Sequence, residues 1–422
     1  MPHPTLPQIA VRADLVYHDP DPPMPKPLSE AAAALRQALS GATRGLVERE
    51  ALAEMIALAA VAGEHVLVIG PPGTAKSEAV RRIARSVDSH IFEYLLGRFT
   101  EPSEIFGPID LRRLKEGFVE TETAGMLPEA DFAFLDEVFK GSTAILNTLL
   151  GILNERVFRR GHSIVRCPLR VCVGASNTLP EDESLAAFAD RFLVRIFVEP
   201  VPDPRLEELL EAGWSLDHEE NGGSGFTRAT LADLDVLAEA ARRSDLSRVR
   251  PHLAHGIRLL RGAGILLSDR RAVHAQGLVA AAAALAGRAR PTDADLWPLI
   301  LAVPTREQQS LARECLSEIL AQTENATLPA AAEEASLGPL ARAARIASAG
   351  REALRARPHG PEEAEEWLLR LEGIAREIDA GFAPETMPAD LVEVRSRIVD
   401  ALRGAPLDSI TVSAGVAGVA GS

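Results

Sequence analysis

The stretch Gly70-Pro71-Pro72-Gly73-Thr74-Ala75-Lys76-Ser77 decides the fold of this chain, because its neighbours place it between a strand and a helix. Upstream, His65 to Ile69 is a short β-branched apolar run that predicts a buried strand. Downstream, Ser77 to Ala84 has the apolar spacing of a helix. A glycine-rich loop at such a junction turns backbone N–H groups and a helix N-terminus toward phosphate oxygens. The stretch therefore predicts a phosphate-binding loop.

Two residues of this loop have predicted contacts of their own. Lys76 is expected to reach the β- and γ-phosphates of a nucleotide, and the Ser77 hydroxyl to hold Mg²⁺. Ala75 stands where the common G-x-x-x-x-G-K-[ST] pattern has its second glycine, and we interpret the extra methyl as a mild change. Taken alone, the stretch also fits a Gly/Pro-rich turn with a solvated lysine. A partner motif must therefore decide between the two interpretations.

That partner motif lies about sixty residues later and ends in two acids. The apolar run Phe132 to Leu135 predicts a buried strand, and Asp136 and Glu137 follow it directly. Such a strand end would hold Asp136 beside Mg²⁺ and leave Glu137 as the general base for an attacking water. An apolar run before Asp-Glu is also common as a plain strand end. Together with the loop, however, it predicts ATP hydrolysis.

Further polar residues complete the predicted site. Asn177 follows an apolar run, where a carboxamide can orient the attacking water, although asparagine there is also a turn former. Arg191 is a candidate arginine finger for the γ-phosphate held by a neighbouring subunit. Arg195 is either a second contact of that kind or a salt-bridge partner. Arg270, in the first turn of a predicted helix where a cation opposes the helix dipole, is a candidate cis contact to the nucleotide, with Arg271 as the fallback.

Composition limits the classes of function. A length of 422 residues allows two or three domains, and a net charge of −15 argues against a broad nucleic-acid footprint while allowing a local basic channel. Cys167, Cys172 and Cys315 lack metal spacing, and we interpret the first two as core thiols of a protein in a reducing compartment. With no apolar leader and no run long enough to span a bilayer, the sequence predicts a soluble, cytoplasmic protein.

The order of the segments predicts an α/β fold. Apolar runs alternate with helical segments, which indicates a five-stranded parallel sheet with its ligand at the carboxyl ends of the strands. The predicted strands are Val66–Ile69, His90–Leu95, Phe132–Asp136, Val171–Ala175 and Leu193–Val198. The predicted domains are a flexible arm at 1–29, an α/β ATPase domain at 30–200, a helical lid at 201–305, a further helical region at 306–403 and a disordered tail at 404–422. A Val/Thr alternation bounded by glycines at 117–127 also fits an inserted β-hairpin.

An ordered set of motifs connects the chain to a known family. The motifs are Gly70–Ser77, Phe92–Leu95, Glu104–Pro108, Leu135–Glu137, Ala144–Leu150, Asn154–Arg156, Ala175–Asn177, Leu179–Pro180 and Asp190–Arg191. They resemble the MoxR family of AAA+ ATPases, most nearly its branch called regulatory ATPase variant A, which tolerates alanine at position 75. The resemblance is strong from about Leu46 to Val198 and weaker to about Thr305.

This resemblance implies a hexameric AAA+ ring with ATP and Mg²⁺ at subunit interfaces. It also implies a chaperone-like role in remodelling a protein complex, often with a von Willebrand factor A domain partner. The family's functional positions fall on Lys76, Ser77, Asp136, Glu137, Asn177, Arg191 and Arg270. The variant A branch has a β-rich insertion in its C-terminal region, whereas residues 306–403 here are predicted to be helical, so the client of that branch is not carried over.

Three functions remain in competition. The leading one is an ATP-hydrolysing ring that remodels a protein client. An alternative is a nucleotide-gated binding or assembly module in which hydrolysis is incidental. A DNA-directed ATPase is weakened by the acidic balance and by the absence of a recognisable DNA-binding module.

Overall fold

The computed structural model describes residues 26–404 apart from 118, 161–162, 202–205, 219–228, 338, 357, 359–360 and 383–386. The predicted N-terminal arm up to residue 25 and the predicted tail from residue 405 lie outside the described residues. The strands are β1 (Val66–Ile69), β2 (Ile91–Leu95), β3 (Phe132–Asp136), β4 (Val157–Arg160), β5 (Ser163–Arg166), β6 (Val171–Ser176) and β7 (Val194–Phe197).

Helices make up most of the remaining described chain. They are α1 (Leu28–Thr43), α2 (Glu50–Ala62), α3 (Lys76–Ser86), α4 (Pro102–Phe106), α5 (Leu111–Lys115), α6 (Thr143–Glu155), α7 (Glu183–Ala189), α8 (Leu206–His218), α9 (Leu231–Arg242), α10 (Arg250–Gly262), α11 (Asp269–Leu285), α12 (Arg306–Cys315), α13 (Ser317–Leu320), α14 (Pro329–Ser336), α15 (Pro339–Arg355), α16 (Pro361–Gly381) and α17 (Ala389–Gly404). Short 3₁₀ helices lie at Leu127–Glu129, Val138–Lys140, Asp293–Asp295 and Trp297–Ala302.

The five predicted strands form one parallel sheet in the order β2-β3-β6-β1-β7, so the predicted α/β class is confirmed. Successive residues of β1 alternate between two apolar clusters, because Val66 and Val68 face one side of the sheet while Leu67 and Ile69 face the other. Helices cover both faces, which explains why these strands are continuous apolar runs in the sequence. Apart from Glu93 and Tyr94 in β2 and Arg195 in β7, the polar side chains of the sheet lie at the ends of the strands.

The described elements after β7 are helical, as the sequence predicts. Helices α9 and α11 pack against α1 and α2, and α14 packs against α2, within the same apolar cluster that covers one face of the sheet. Helices α15, α16 and α17 form a bundle with an apolar cluster of its own. The domain boundaries given above stay predictions. Among the described helices, none is both long and apolar enough to cross a membrane.

The β-hairpin of this chain lies elsewhere than predicted. In the described part of 117–127, the backbone forms one isolated bridge between Ile109 and Thr121 rather than a hairpin. The hairpin is formed by β4 and β5, which pair antiparallel after α6. Its inward face carries Phe158, which stacks on Phe106 with ring centroids 5.4 Å apart. The hairpin segment thus packs on a helix about fifty residues earlier in the chain.

Candidate active site

The phosphate loop follows β1 at the carboxyl edge of the sheet. The Gly70 N–H donates to the Ser176 carbonyl oxygen at 3.1 Å, which joins the loop to the end of β6. A Cβ at Gly70 would lie 2.3 Å from the Val198 carbonyl oxygen, so a side chain there would displace backbone. Gly73 has a φ of +77°, which a residue with a side chain seldom adopts. Both glycines are therefore required by the shape of the loop.

Ala75 also has a left-handed backbone, with φ 56° and ψ 27°, immediately before the first residue of α3. For a residue with a Cβ this conformation costs roughly 1–2 kcal/mol. The interpretation of its methyl as a mild change is therefore wrong, because the position has the conformation that glycine prefers.

Lys76 is buried and its ammonium group is folded back onto the loop. Its Nζ donates to the carbonyl oxygens of Gly70 at 3.0 Å and Pro71 at 2.8 Å. Burial lowers the pKa of Lys76, while the negative charges of Asp136 and Glu137 act in the opposite direction. The ammonium group therefore lies between the loop and the two acids of β3.

Arg49 holds the phosphate loop in place through hydrogen bonds to backbone carbonyl oxygens. No sequence motif indicated this role. Its buried guanidinium donates from Nε to the Thr74 carbonyl oxygen at 2.8 Å and from Nη2 to the Glu199 carbonyl oxygen at 2.7 Å. A third bond, from Nη1, reaches the Glu48 carbonyl oxygen at 2.6 Å. Burial lowers the pKa of Arg49. One side chain thus joins three segments that are far apart in the sequence.

Asp136, Glu137 and Asn177 lie together at the same edge of the sheet. Because β3 and β6 are neighbours, Asn177 comes close to Glu137, and its Nδ2 donates to Glu137 Oε1 at 3.3 Å. Lys140 Nζ lies 3.2 Å from the same oxygen. Asp136 Oδ1 accepts a hydrogen bond from the Glu137 N–H at 2.9 Å, and Glu137 has a left-handed φ of 50°. The sequence does not indicate the contact with Lys140.

Arg191 and Arg270 lie together, but at the opposite edge of the sheet. Arg191 precedes β7, whose first residue donates its N–H to the His65 carbonyl oxygen just before β1. Arg270, at the start of α11, donates from Nη2 to Asn154 Oδ1 at 2.9 Å. Burial lowers the pKa of Arg270, and the positive charge of Arg191 adds to this effect. The fold therefore brings these two arginines to each other and not to the phosphate loop.

Arg271 and Arg195 are buried beside that pair. Arg271 donates to the carbonyl oxygens of Leu193 at 2.6 Å and Ala302 at 2.7 Å and forms an ion pair with Asp190, so it fastens α11 to the segment before β7. Arg195 bonds to a backbone carbonyl, and its Nε and Nη1 have no partner among the described residues. Burial and the nearby charge of Arg271 lower the pKa of Arg195 to about 9. The salt bridge considered for Arg195 is not formed within the described chain.

A shallow pocket of about 190 Å³ lies at the segment 45–50, whose Arg49 bonds to Thr74 of the loop. It is lined by Gly45, Leu46, Val47, Glu50, Glu208, Glu211 and Ala212. The pocket combines apolar walls with carboxylates from α8. Sequence patterns did not indicate it, because its two sides come from segments about 160 residues apart.

The cysteines lie outside this site. Cys167 and Cys172 are buried, and burial raises the pKa of the Cys172 thiol to about 12. Among the described residues, no group of three or more His, Cys, Asp or Glu side chains has the arrangement of a metal site.

Comparison with known proteins shows what the α/β part of the chain is similar to. Residues 33–238 match the family described as the MoxR domain in the MoxR-vWA-beta-propeller ternary systems. The chain is 37% identical to an uncharacterised protein of Methanocaldococcus jannaschii over 252 residues, which are 59% of this chain and 66% of that protein. It therefore spans slightly less than two thirds of this relative.

Two further likenesses agree with that match. The chaperone MoxR1 of Mycobacterium tuberculosis is 26% identical over 275 residues, covering 60% of this chain and 72% of the chaperone. A crystal structure of a protein from Cytophaga hutchinsonii, described as a candidate ATPase, aligns with a TM-score of 0.54 at 15% identity. That alignment covers 70% of this chain and 97% of the other, and it shows the fold alone. The predicted α/β AAA+ fold with a helical C-terminal region is thus confirmed.

Proposed function

We propose that this chain, whose residues 33–238 form a MoxR-family AAA+ domain, hydrolyses ATP at sites shared between subunits of a ring, most simply a hexamer, and uses the cycle to remodel a protein complex. One observation carries the proposal. The loop, the two acids and Asn177 lie at one edge of the sheet, while Arg191 and Arg270 lie at the other. Each chain would therefore contribute two complementary half-sites.

The loop would bind the phosphates through its backbone N–H groups and Lys76. Phosphate oxygens would replace the carbonyl oxygens of Gly70 and Pro71 as partners of the Lys76 ammonium group. The donor set of one hydroxyl and one carboxylate, Ser77 and Asp136, suits Mg²⁺, which needs few protein ligands when phosphates complete its shell. When bound, that ion would neutralise charge on the phosphates.

Glu137 would act as the general base. Asn177 and Lys140 both hold Oε1 of its carboxylate, which orients the group and leaves Oε2 to accept a proton from water. Asn177 would also respond to the presence or loss of the γ-phosphate, since its amide lies between Glu137 and the end of β6.

Arg191 and Arg270 would complete the site of a neighbouring subunit. The phosphate loop and the two arginines lie at opposite ends of β1, a strand about 13 Å long. Neither arginine would therefore reach a nucleotide bound to the loop of its own chain. We therefore propose a trans contact for both, in place of the cis contact first predicted for Arg270. Two guanidinium groups at the γ-phosphate would stabilise the charge of the transition state.

The pocket at the segment 45–50 would hold the base of the nucleotide. Leu46 and Val47 supply apolar surface for an adenine ring, and the carboxylates of Glu208 and Glu211 can accept hydrogen bonds from its amino group. The pocket is connected to the phosphates through Arg49, which bonds to Thr74.

The partners follow from the family. A von Willebrand factor A domain protein and a β-propeller protein are the proposed partners, because the matched family is described from such ternary systems. The variant A branch and the hexameric state stay predictions. Nucleic acid is not proposed as the substrate, given the net charge of −15.

The first experiment uses Glu137→Gln. The substitution keeps the shape of the side chain and removes the base, so nucleotide binding should persist while steady-state turnover falls by about 100-fold or more. Glu318→Gln, at an exposed glutamate of α13, is the control variant. Undiminished turnover in Glu137→Gln would refute the assignment.

The second experiment tests the shared site. Arg191→Ala and Glu137→Gln subunits, each inactive alone, should regain turnover when they are mixed, because some interfaces then pair an intact arginine with an intact base. Co-assembly is checked by affinity tags of two kinds. If co-assembled mixtures stay inactive, the trans role is wrong. If assembly responds equally to ATP and to a non-hydrolysable analogue and no client raises turnover, the nucleotide-gated module is the better description.

A further inference from the structure

The β4–β5 hairpin has two chemically different faces. The pairing of Arg159 with Ile164 and of Val157 with Arg166 puts these four side chains on one face. The other face carries Phe158, which is buried against Phe106. Beside the half-buried Val157, this outward face thus carries two arginines and an isoleucine that is 71% exposed. The exposed part of this face therefore combines one apolar side chain with two cations.

The charge of this segment departs from that of the chain. Residues 156–170 contain arginine at five positions and no acidic residue, whereas the whole chain has a net charge of −15. Three of these arginines have structural contacts. Arg156 donates to the Gly63 carbonyl oxygen at 2.7 Å, Arg160 to the Gly107 carbonyl oxygen at 3.1 Å, and Arg170 forms an ion pair with Asp235.

The two remaining arginines are available to a partner. Arg166 is exposed and forms no ion pair with any residue that the structure describes. Arg159 pairs with Glu155, but both side chains are more than half exposed, and such a pair contributes little. An incoming carboxylate could therefore replace Glu155 at small cost.

The segment between α4 and α5 contacts the inward face of the hairpin. Arg160 bonds to Gly107, which lies between α4 and α5, and Phe106 at the end of α4 stacks on the hairpin. Helix α5 exposes Leu111 together with the cations Arg112 and Lys115.

From this geometry we propose that the outward face of the hairpin, Arg159, Ile164 and Arg166, binds an acidic, partly apolar segment of a polypeptide. Carboxylates of the partner would pair with the two guanidinium groups, and an aliphatic side chain would cover Ile164. The inference deepens the proposed function, on which it rests, by naming the chemistry of the client segment that a remodelling ATPase would engage.

The observations favour polypeptide over nucleic acid as the occupant. Single-stranded nucleic acid is held by exposed aromatic rings that stack on bases, but Phe158, the aromatic residue of β4, is buried on the inward face. Ile164, at the centre of the outward face, is aliphatic. The net charge of −15 also repels a polyphosphate more strongly than a short peptide with a few carboxylates.

The test measures binding by fluorescence anisotropy on the full chain, without turnover. The probes are a labelled peptide of alternating glutamate and leucine, a labelled peptide of alternating lysine and leucine, and a labelled oligo(dT) of the same length. Arg159→Glu with Arg166→Glu is compared with Arg248→Glu with Arg258→Glu, two exposed arginines of the helical region, so both proteins have the same net charge. Arg159→Gln with Arg166→Gln covers the case that charge reversal disturbs folding.

We expect the acidic peptide to bind the wild-type protein and the control alike, and to bind the hairpin variant more weakly by up to about 25-fold, since each lost exposed pair accounts for up to about fivefold. Equal affinity in the hairpin variants would overturn the proposal, as would equal binding of the lysine peptide. Tighter binding of oligo(dT) that depends on Arg159 and Arg166 would make the face a nucleic-acid surface instead. None of these binding measurements requires ATP hydrolysis. A failure of the peptide-binding proposal can therefore be distinguished from a failure of the proposed ATPase function.

Discussion

Arg49 is predicted to be the structural support of the phosphate loop, and replacing it with methionine tests this. Methionine keeps much of the length of the side chain and removes three hydrogen bonds, to Thr74, Glu199 and Glu48. The bond to Thr74 is buried, and losing a charged donor there costs about 2 kcal/mol, while the other two acceptors are partly exposed and cost about 0.5 kcal/mol each. We expect the free energy of unfolding to fall by about 3 kcal/mol.

The nucleotide affinity should fall as well. Without Arg49, the backbone at Thr74 must be ordered by the nucleotide, and fixing one residue costs about 1–2 kcal/mol, or roughly tenfold in affinity. Urea unfolding followed by circular dichroism measures the stability, and anisotropy of a fluorescent ATP analogue measures the affinity. Arg49→Lys, which can keep one bond, should be intermediate.

Arg85→Met is the matched control for this prediction. Arg85 is exposed in the last turn of α3, so its loss should cost less than about 1 kcal/mol and leave the affinity unchanged. If Arg49→Met binds the nucleotide within twofold of the wild-type protein, or is no less stable than Arg85→Met, the inferred support of the loop is wrong.

Three further predictions concern backbone strain, packing and pH. Ala75→Gly should raise the free energy of unfolding by about 1 kcal/mol in urea titrations, because glycine adopts the left-handed φ of 56° without strain; a loss of stability would contradict this. A Cβ at Gly350 would lie 2.5 Å from Val394 Cγ1, so Gly350→Ala should destabilise the α15–α17 bundle by about 1–3 kcal/mol without changing nucleotide affinity. Adding Val394→Ala should cost less than the sum of the two single changes, and simple additivity would exclude the clash. His274 Nδ1 lies 2.6 Å from Glu64 Oε1, and this hydrogen bond raises the pKa of His274. The stabilisation, less than about 1 kcal/mol for this partly exposed pair, should be complete below pH about 6.5 and lost as the pH rises through the raised pKa. Wild-type protein and His274→Gln should therefore differ most in acid, and a difference that grows with pH would refute the pairing.

The local pattern of apolar residues was sufficient to predict the five strands of the parallel sheet. The apolar runs that predicted β1, β2, β3, β6 and β7 agree with the structure to within one residue at each end, because strands covered on both faces must be continuous apolar runs. The insertion after β2 was harder, since an alternation of valine and threonine fits several conformations. The true hairpin depends on Phe158 packing against Phe106, more than fifty positions earlier in the chain.

The sequence by itself determined the carboxyl-edge half of the site. Gly70 to Ser77, Asp136, Glu137 and Asn177 each follow a predicted strand, and parallel strands bring their carboxyl ends to one edge whatever the rest of the chain does. Their catalytic roles stay predictions, but their proximity did not need the structure.

Only the tertiary structure decided the rest. The sequence offered Arg270 as a contact to its own nucleotide, yet Arg271 fastens α11 to the segment before β7, and this docking holds Arg270 beside Arg191 at the opposite edge. Arg49 reaches Thr74 and Glu199 by hydrogen bonds between residues 25 and 150 positions apart. Such contacts depend on how helices dock, and docking is set by the fit of whole surfaces, which no local spacing of residues encodes.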